Sequence, residues 1–85
     1  MHAAGHVDHA RTHHNAALTL AVQIGERYEE ARAHDGLART YHPLDEYDQA
    51  CHHWQQSLGL YTQLGVPEAN NVRARVAALD RQESP

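Results

Sequence analysis

The stretch EYDQACHHWQQSLGLYTQL, residues 46–64, places its apolar side chains at steps of three and four residues. Those side chains are Tyr47, Ala50, Cys51, Trp54, Leu58, Tyr61 and Leu64. With 3.6 residues per turn, this spacing collects them on one face of an α-helix, and glutamines and histidines occupy the other face. The stretch therefore predicts an amphipathic helix whose apolar face must be covered by other parts of the chain.

Glycine, proline and aspartate mark the ends of further helices around this stretch. Gly25 and Gly65 each follow an apolar-periodic segment and suit the left-handed residue after a helix end. Pro43 ends the preceding helix near residue 41 or 42, Asp45 suits the N-cap of the next helix, and Pro67 suits a first turn. The predicted fold class is all-α, with helices over residues 6–24, 27–42, 46–64 and 68–81.

The chain also repeats itself. A shift of 40 residues aligns residues 5–25 with 45–65 at seven identities in 21 pairs, and the same shift places Ala38 over Ala78. A period of this length is typical of helical solenoids. We therefore expect one domain over residues 1–85. It would hold a complete hairpin over 27–64, flanked by the second helix of one incomplete repeat (6–24) and the first helix of another (68–81).

The predicted hairpin resembles the tetratricopeptide repeat (TPR) family. Its residues follow the pattern W-x2-L-G-x2-Y…A-x3-F at the expected spacing, as His34-x2-Leu37-Ala38-x2-Tyr41, then Ala50-x3-Trp54 and Ser57. Small residues stand where two helices must approach closely, and large ones where the gap widens. We therefore expect the hairpin to be packed by Leu37, Ala38, Tyr41, Ala50 and Trp54.

The period of 40 and two short sequence segments make the chain resemble one group of TPR proteins in particular. Residues 33–38 (AHDGLA) and 64–69 (LGVPEA) are similar to the C-terminal repeat arrays of large actinobacterial regulators, the SARP-like and signal-transduction ATPase transcription factors. The resemblance implies a non-enzymatic scaffold that binds proteins. The DNA-binding and ATPase parts of such regulators are not in these 85 residues, which also carry no Gly-rich phosphate loop.

The resemblance also implies a binding groove, because the first helix of each repeat lines the concave surface in this family. Arginine is suited to clamping the carboxylates of a partner through its planar fork. An open alternative is that the arginines are merely solvated and paired with acidic neighbours. The groove residues expected on this basis are Arg32, Asp35, Arg39, His42, Arg75 and Leu79.

The two incomplete repeats each leave an apolar face without a partner helix. On the last helix the expected face consists of Val72, Val76 and Leu79. We therefore predict self-association, most simply as a homodimer. The alternative is that the chain is a piece of a longer array whose neighbouring helices cover these faces.

Histidine supports a competing hypothesis. His6, His9 and His13 fall within an arc of about 60° on the first helix and could converge on a metal ion. The alternative function is thus a His-rich, zinc- or nickel-responsive protein with metal-bridged assembly. Nine histidines also allow assembly to depend on pH. Catalysis by Cys51 is not expected, because an apolar surrounding raises the pKa of a thiol, and we expect neither a resident cofactor nor an enzyme.

The composition bears on which partners and which cellular location to expect. Eleven acidic residues stand against seven arginines and no lysine, for a formal charge of −4, so nucleic acid and anionic membranes are unexpected partners. The longest uncharged apolar stretch, residues 16–24, is too short to cross a bilayer, and the N-terminus lacks the pattern of a signal peptide. A single cysteine fits a reducing compartment, and we expect a cytoplasmic protein.

Overall fold

Four α-helices account for most of the chain. The structure, a computed structural model, describes the backbone of residues 2–83 and the side chains of residues 7–81. The helices are α1 (His2–Ile24), α2 (Arg27–Tyr41), α3 (Tyr47–Leu64) and α4 (Glu68–Glu83), and no strand occurs between residues 2 and 83. The all-α prediction is confirmed. Predicted and observed ends differ by at most two residues, except that α1 begins four residues earlier because the helix continues through Gly5.

Two glycines end α1 and α3, as predicted. Gly25 and Gly65 adopt the left-handed conformation, with φ of 74° and 68°. After α3, the N–H of Gly65 donates to the carbonyl of Thr62 at 3.1 Å, and the N–H of Val66 donates to that of Tyr61 at 3.3 Å. These bonds satisfy carbonyls that a helix end leaves unpaired.

The connection between α2 and α3 corrects one prediction. A 3₁₀ turn, His42–Leu44, follows α2, and Asp45 is left-handed with φ of 60°. Glu46, not Asp45, precedes α3. The prediction of Asp45 as the N-cap is therefore wrong: Pro43 continues the chain as a 3₁₀ turn, and Asp45 closes that turn instead of opening α3. Aspartate tolerates this conformation better than most residues, and its carboxylate accepts a hydrogen bond from the Tyr47 hydroxyl at 3.0 Å.

Each helix packs on its neighbours in the chain, so that α2 lies between α1 and α3, and α3 lies between α2 and α4. α2 and α3 are antiparallel. Arg27 at the start of α2 donates to Gln63 at the end of α3, with 2.9 Å between Nη1 and Oε1, and His34 contacts His53 nearer the other end. Side chains distant in sequence therefore share one interface.

The core of the α2–α3 pair is built on small residues. Ala38 and Ala50 are fully buried in one cluster with Trp54, and Tyr41 packs against this cluster. Leu37 is fully buried as well. Alanine at these positions lets two helix backbones approach closely, while Trp54 fills the space beside them. All five residues expected to pack the hairpin are thus buried or half-buried, and the TPR-type arrangement itself stays a prediction.

Of the two outer helices, only α4 differs from expectation in what it exposes. Val72 and Leu79 on α4 are only 3% and 1% exposed, because α4 turns this face toward α3, and Val76 is half-buried. The prediction that Val72 and Leu79 form a self-association face is therefore wrong. α1, in contrast, leaves apolar side chains uncovered, with Leu20 57% and Ile24 61% exposed.

α1 is the longest helix, with 23 residues. That length would suffice for a bilayer, but the helix carries polar residues throughout its first half. Between residues 2 and 83, no helix combines the length and the apolar character that a membrane span requires.

Candidate protein-binding groove

A groove runs between α2 and α4, with α3 as its floor. Its wider part encloses about 470 Å³ and extends to His14 on α1. Its narrower part, about 60 Å³, lies between α2 and α4. Four residues line both parts, so the two form one continuous surface: Asp35, Arg39, Tyr61 and Glu68.

Asp35 organises the centre of the groove. Its carboxylate accepts a hydrogen bond from the indole N–H of Trp54, with 2.8 Å between Nε1 and Oδ1. Arg39, one turn further along α2, approaches the same carboxylate with its Nε 3.3 Å from Oδ2. Because Trp54 is almost fully buried, Asp35 satisfies an indole N–H that would otherwise lack a partner. Asp35 thus fixes Trp54 and orients Arg39, and its negative charge is already balanced.

Three arginines border the groove with their guanidinium groups accessible. Arg32 pairs with Glu29 at 3.2 Å, and both side chains are at least half exposed. Arg39 is also mostly exposed. Arg75 on α4 places its guanidinium carbon 5.7 Å from the centre of the Trp54 ring, a cation–π contact. Exposed ion pairs are weak, so Arg32 can exchange Glu29 for the carboxylate of a ligand. Arg39 contacts Asp35 through its Nε, and it can keep this partner while its exposed guanidinium meets a ligand.

Two tyrosines and a glutamate close one end of the groove. The hydroxyl of Tyr28 donates a hydrogen bond to the carboxylate of Glu68, joining α2 to α4. This bond raises the pKa of Tyr28 and lowers the pKa of Glu68. The ring of Tyr28 lies against that of Tyr61, with centroids 5.6 Å apart, and burial raises the pKa of Tyr61 to about 12. Tyr61 therefore stays a neutral phenol that offers an aromatic floor.

Sequence reasoning identified only part of this groove. Arg32, Asp35, Arg39 and Arg75 line it. Leu79 does not, because it is buried against α3, and His42 packs its ring on Trp54 and Tyr47 at 5.6 and 5.5 Å. Both assignments to the groove are corrected. A helical periodicity gives the face of a residue but not the rotation of its helix against the next one.

The groove residues that could not be assigned from the sequence include His14, Tyr28, Tyr61 and Glu68. One available signal was the repeat itself. Tyr28 and Glu68 are 40 residues apart, the length of the period, and equivalent positions of stacked repeats lie side by side. Asp35 and Arg75 are separated by the same 40 residues and line the same narrow part of the groove. The period therefore pairs positions on α2 with positions on α4.

A second polar cluster lies away from the groove, between α2 and α3. The Nδ1 atoms of His34 and His53 are 2.9 Å apart, so one imidazole donates a hydrogen bond to the other. Tyr41 stacks on His53, with ring centroids 5.8 Å apart and planes inclined by 3°. Burial lowers the pKa of His34 and lowers that of His53 to about 4. Both rings are thus neutral near pH 7, and the hydrogen bond between them requires only that one of the two Nδ1 atoms carries no proton.

The histidines proposed as metal ligands lie on α1. His9 and His13 are exposed on α1, and the side chain of His6 lies outside the described residues. Among the residues that the structure describes, no three histidine, cysteine or acidic side chains are grouped closely enough to hold a metal ion. Cys51 lies half-buried against the core cluster, where an apolar environment does not favour a reactive thiolate.

Comparison with known proteins adds no family or relative: neither a protein-family model, nor a curated protein, nor a solved structure matches the chain. What the groove can do follows from its chemistry. It combines cationic side chains at the rim with aromatic rings at the floor, which can hold a peptide through carboxylate and apolar contacts together.

Proposed function

We propose that this chain is a non-enzymatic protein-interaction module of TPR type, which binds a peptide segment of a partner protein in the groove between α2 and α4. The observation that carries the proposal is the line of Arg32, Arg39 and Arg75 along a groove floored by Tyr61. Arginine and aromatic residues are the types most enriched where proteins bind one another. The ligand expected from this chemistry is a peptide with an acidic residue next to an apolar one.

The wider setting follows from the sequence resemblance. We propose that the module belongs to a cytoplasmic transcriptional or signalling regulator and that it also associates with further copies of itself. The thiol of Cys51 suits a reducing compartment. The surplus of acidic residues, with a formal charge of −4, speaks against nucleic acid as the partner of this segment.

A peptide library displayed on phage, selected against the whole chain, tests binding in the groove. Peptides rich in aspartate or glutamate beside aromatic or aliphatic residues are the expected outcome. Arg39→Ala and Arg75→Ala should each weaken the selected peptides about tenfold or more, since about 1.4 kcal/mol corresponds to a factor of ten. Fluorescence anisotropy with a labelled peptide gives the dissociation constants.

Arg73→Ala is the matched control. Arg73 is an exposed arginine on α4, near Arg75 in sequence, and its guanidinium donates to Asn70 at 2.9 Å instead of lining the groove. Its replacement should leave peptide binding unchanged. Selection of no peptide at all, or an equal loss of affinity for Arg73→Ala and Arg75→Ala, would show that the groove is not the binding site.

A further inference from the structure

One side of α1 carries exposed side chains that are mainly apolar. His13, Ala17, Leu20 and Ile24 are all exposed there, and at 100° per residue they fall within an arc of about 60°. We call these four residues the outer stripe of α1. A cleft of about 290 Å³ runs beside the stripe, where His13 and Ala17 of α1 face Glu29 and Arg32 of α2. An exposed apolar stripe on a helix normally packs on another helix.

The 40-residue repeat shows what kind of helix the stripe accepts. It aligns the outer stripe of α1 with four residues of α3, which are His53, Ser57, Leu60 and Leu64. On α3 most of this stripe is covered, and its contacts with α2 run through His53, while Leu64 at the end of the helix is 40% exposed. His53 contacts His34 and stacks on Tyr41, and Ser57 is fully buried. The outer stripe of α1 is thus the repeat equivalent of an observed helix–helix interface, with the partner helix missing.

The same offset identifies the missing partner. It aligns α2 with α4, so that His34 and Ala38, which face α3, correspond to Ala74 and Ala78. Ala74 is exposed and Ala78 half-buried, because α4 turns its opposite face, with Val72 and Leu79, toward α3. Alanine at both positions permits the close backbone approach that Ala38 provides inside the hairpin. α4 therefore presents the face that α2 uses, and α1 presents the face that α3 uses.

We propose that copies of this chain stack head to tail, with the outer face of α4 from one copy packed antiparallel on the outer stripe of α1 from the next. The contact would repeat between two copies the α2–α3 pairing found within one. This proposal specifies the self-association included in the proposed function and rests on it, while peptide binding in the groove is independent. Because two different faces meet, the assembly continues beyond two copies instead of closing as a dimer.

Blocking one end at a time tests this geometry. The wild-type chain, followed by sedimentation equilibrium from micromolar to millimolar concentration, should grow in mass beyond a dimer. Leu20→Glu buries a charge in the α1 stripe and Ala74→Glu does so on α4, so each variant alone should be monomeric. An equimolar mixture should form a one-to-one heterodimer and nothing larger, because each pair retains one intact α1 stripe and one intact α4 face.

Val22→Glu is the control for the added charge. Val22 lies on α1 and is 55% exposed, like Leu20, but it points away from the stripe. This variant should assemble as the wild type does. Far-UV circular dichroism confirms that all variants remain helical.

The proposal is overturned by a wild-type chain that stays monomeric throughout, by a mass that stops at two copies, or by a mixture of the two blocked variants that stays monomeric. Each of these results leaves peptide binding in the groove untouched. Loss of peptide binding with normal assembly would instead contradict the groove part of the proposed function, so the two failures are distinguishable.

Discussion

α1 lies close to α2 at Gly36, where the ring of His14 fills the space beside the glycine. The substitution Gly36→Ala tests this contact. A methyl group at this position would lie 2.4 Å from Nδ1 and Cε1 of His14, well inside the usual contact distance of about 3.5 Å. Two effects of opposite sign result. Alanine inside a helix is favoured over glycine by about 0.5–1 kcal/mol, whereas displacing a packed ring costs about 1–3 kcal/mol. We expect a net loss of stability between about 0 and about 2.5 kcal/mol.

A double-mutant cycle isolates the contact. In a His14→Ala chain the ring is absent, so Gly36→Ala should stabilise by about 0.5–1 kcal/mol, giving a coupling of about 1–3 kcal/mol. Urea unfolding followed by circular dichroism provides the free energies. Gly59→Ala is the control, because no atom lies within 4 Å of the added methyl group and it should stabilise in both backgrounds. Equal stabilisation by Gly36→Ala with and without the His14 ring would refute the predicted packing of α1 on α2.

Three further predictions concern the α2–α3 pair. Asp35→Ala removes the acceptor of the buried Trp54 indole N–H and should reduce the free energy of unfolding by about 1–3 kcal/mol. Asp35→Asn keeps an acceptor oxygen and should reduce the free energy of unfolding less. Urea unfolding curves of the two variants test this difference. Ala38→Leu enlarges a fully buried side chain and should destabilise by about 1–3 kcal/mol, so a melting curve identical to wild type would contradict the observed contact. Burial lowers the pKa of His53 from 6.5 to about 4. As the pH falls, His53 is therefore protonated in the unfolded chain before it is protonated in the folded one. The free energy of unfolding therefore does not depend on His53 above pH 6.5, and it decreases as the pH falls from 6.5 toward 4. After allowance for partial exposure of the ring, we expect this decrease to be about 1–2 kcal/mol. Urea melts across this pH range should show a smaller acid loss for His53→Gln than for wild type, and an unchanged loss would contradict the role of the His34–His53 pair.

The helices were predictable because their signals are local. Apolar periodicity, Gly25 and Gly65, and the position of Pro43 each act within a few residues of the helix end they specify. The prediction for Asp45 was wrong because the local signal there is ambiguous. A 3₁₀ turn and an N-cap draw on similar residues, and the choice between them depends on how much chain the connection needs to bring α3 against α2.

The part of the groove that could be predicted is the row of side chains on α2. Arg32, Asp35 and Arg39 follow one another at steps of three and four residues on α2, so their common face follows from helix geometry alone. The partners of Asp35 did not follow, since the indole of Trp54 lies 19 residues away on α3. Periodicity predicted Trp54 as a core residue but gave no sign that its N–H would need an acceptor.

The amino-acid sequence by itself determines that the chain forms helices, most of their ends to within two residues, and the period of 40 that relates them. Only the tertiary structure decides how far each helix is rotated about its own axis. That rotation buries Val72 and Leu79 and brings Tyr28 to Glu68. The physical reason is that a helix forms through hydrogen bonds four residues apart, whereas its rotation is chosen by side-chain packing against helices that lie far away in the sequence.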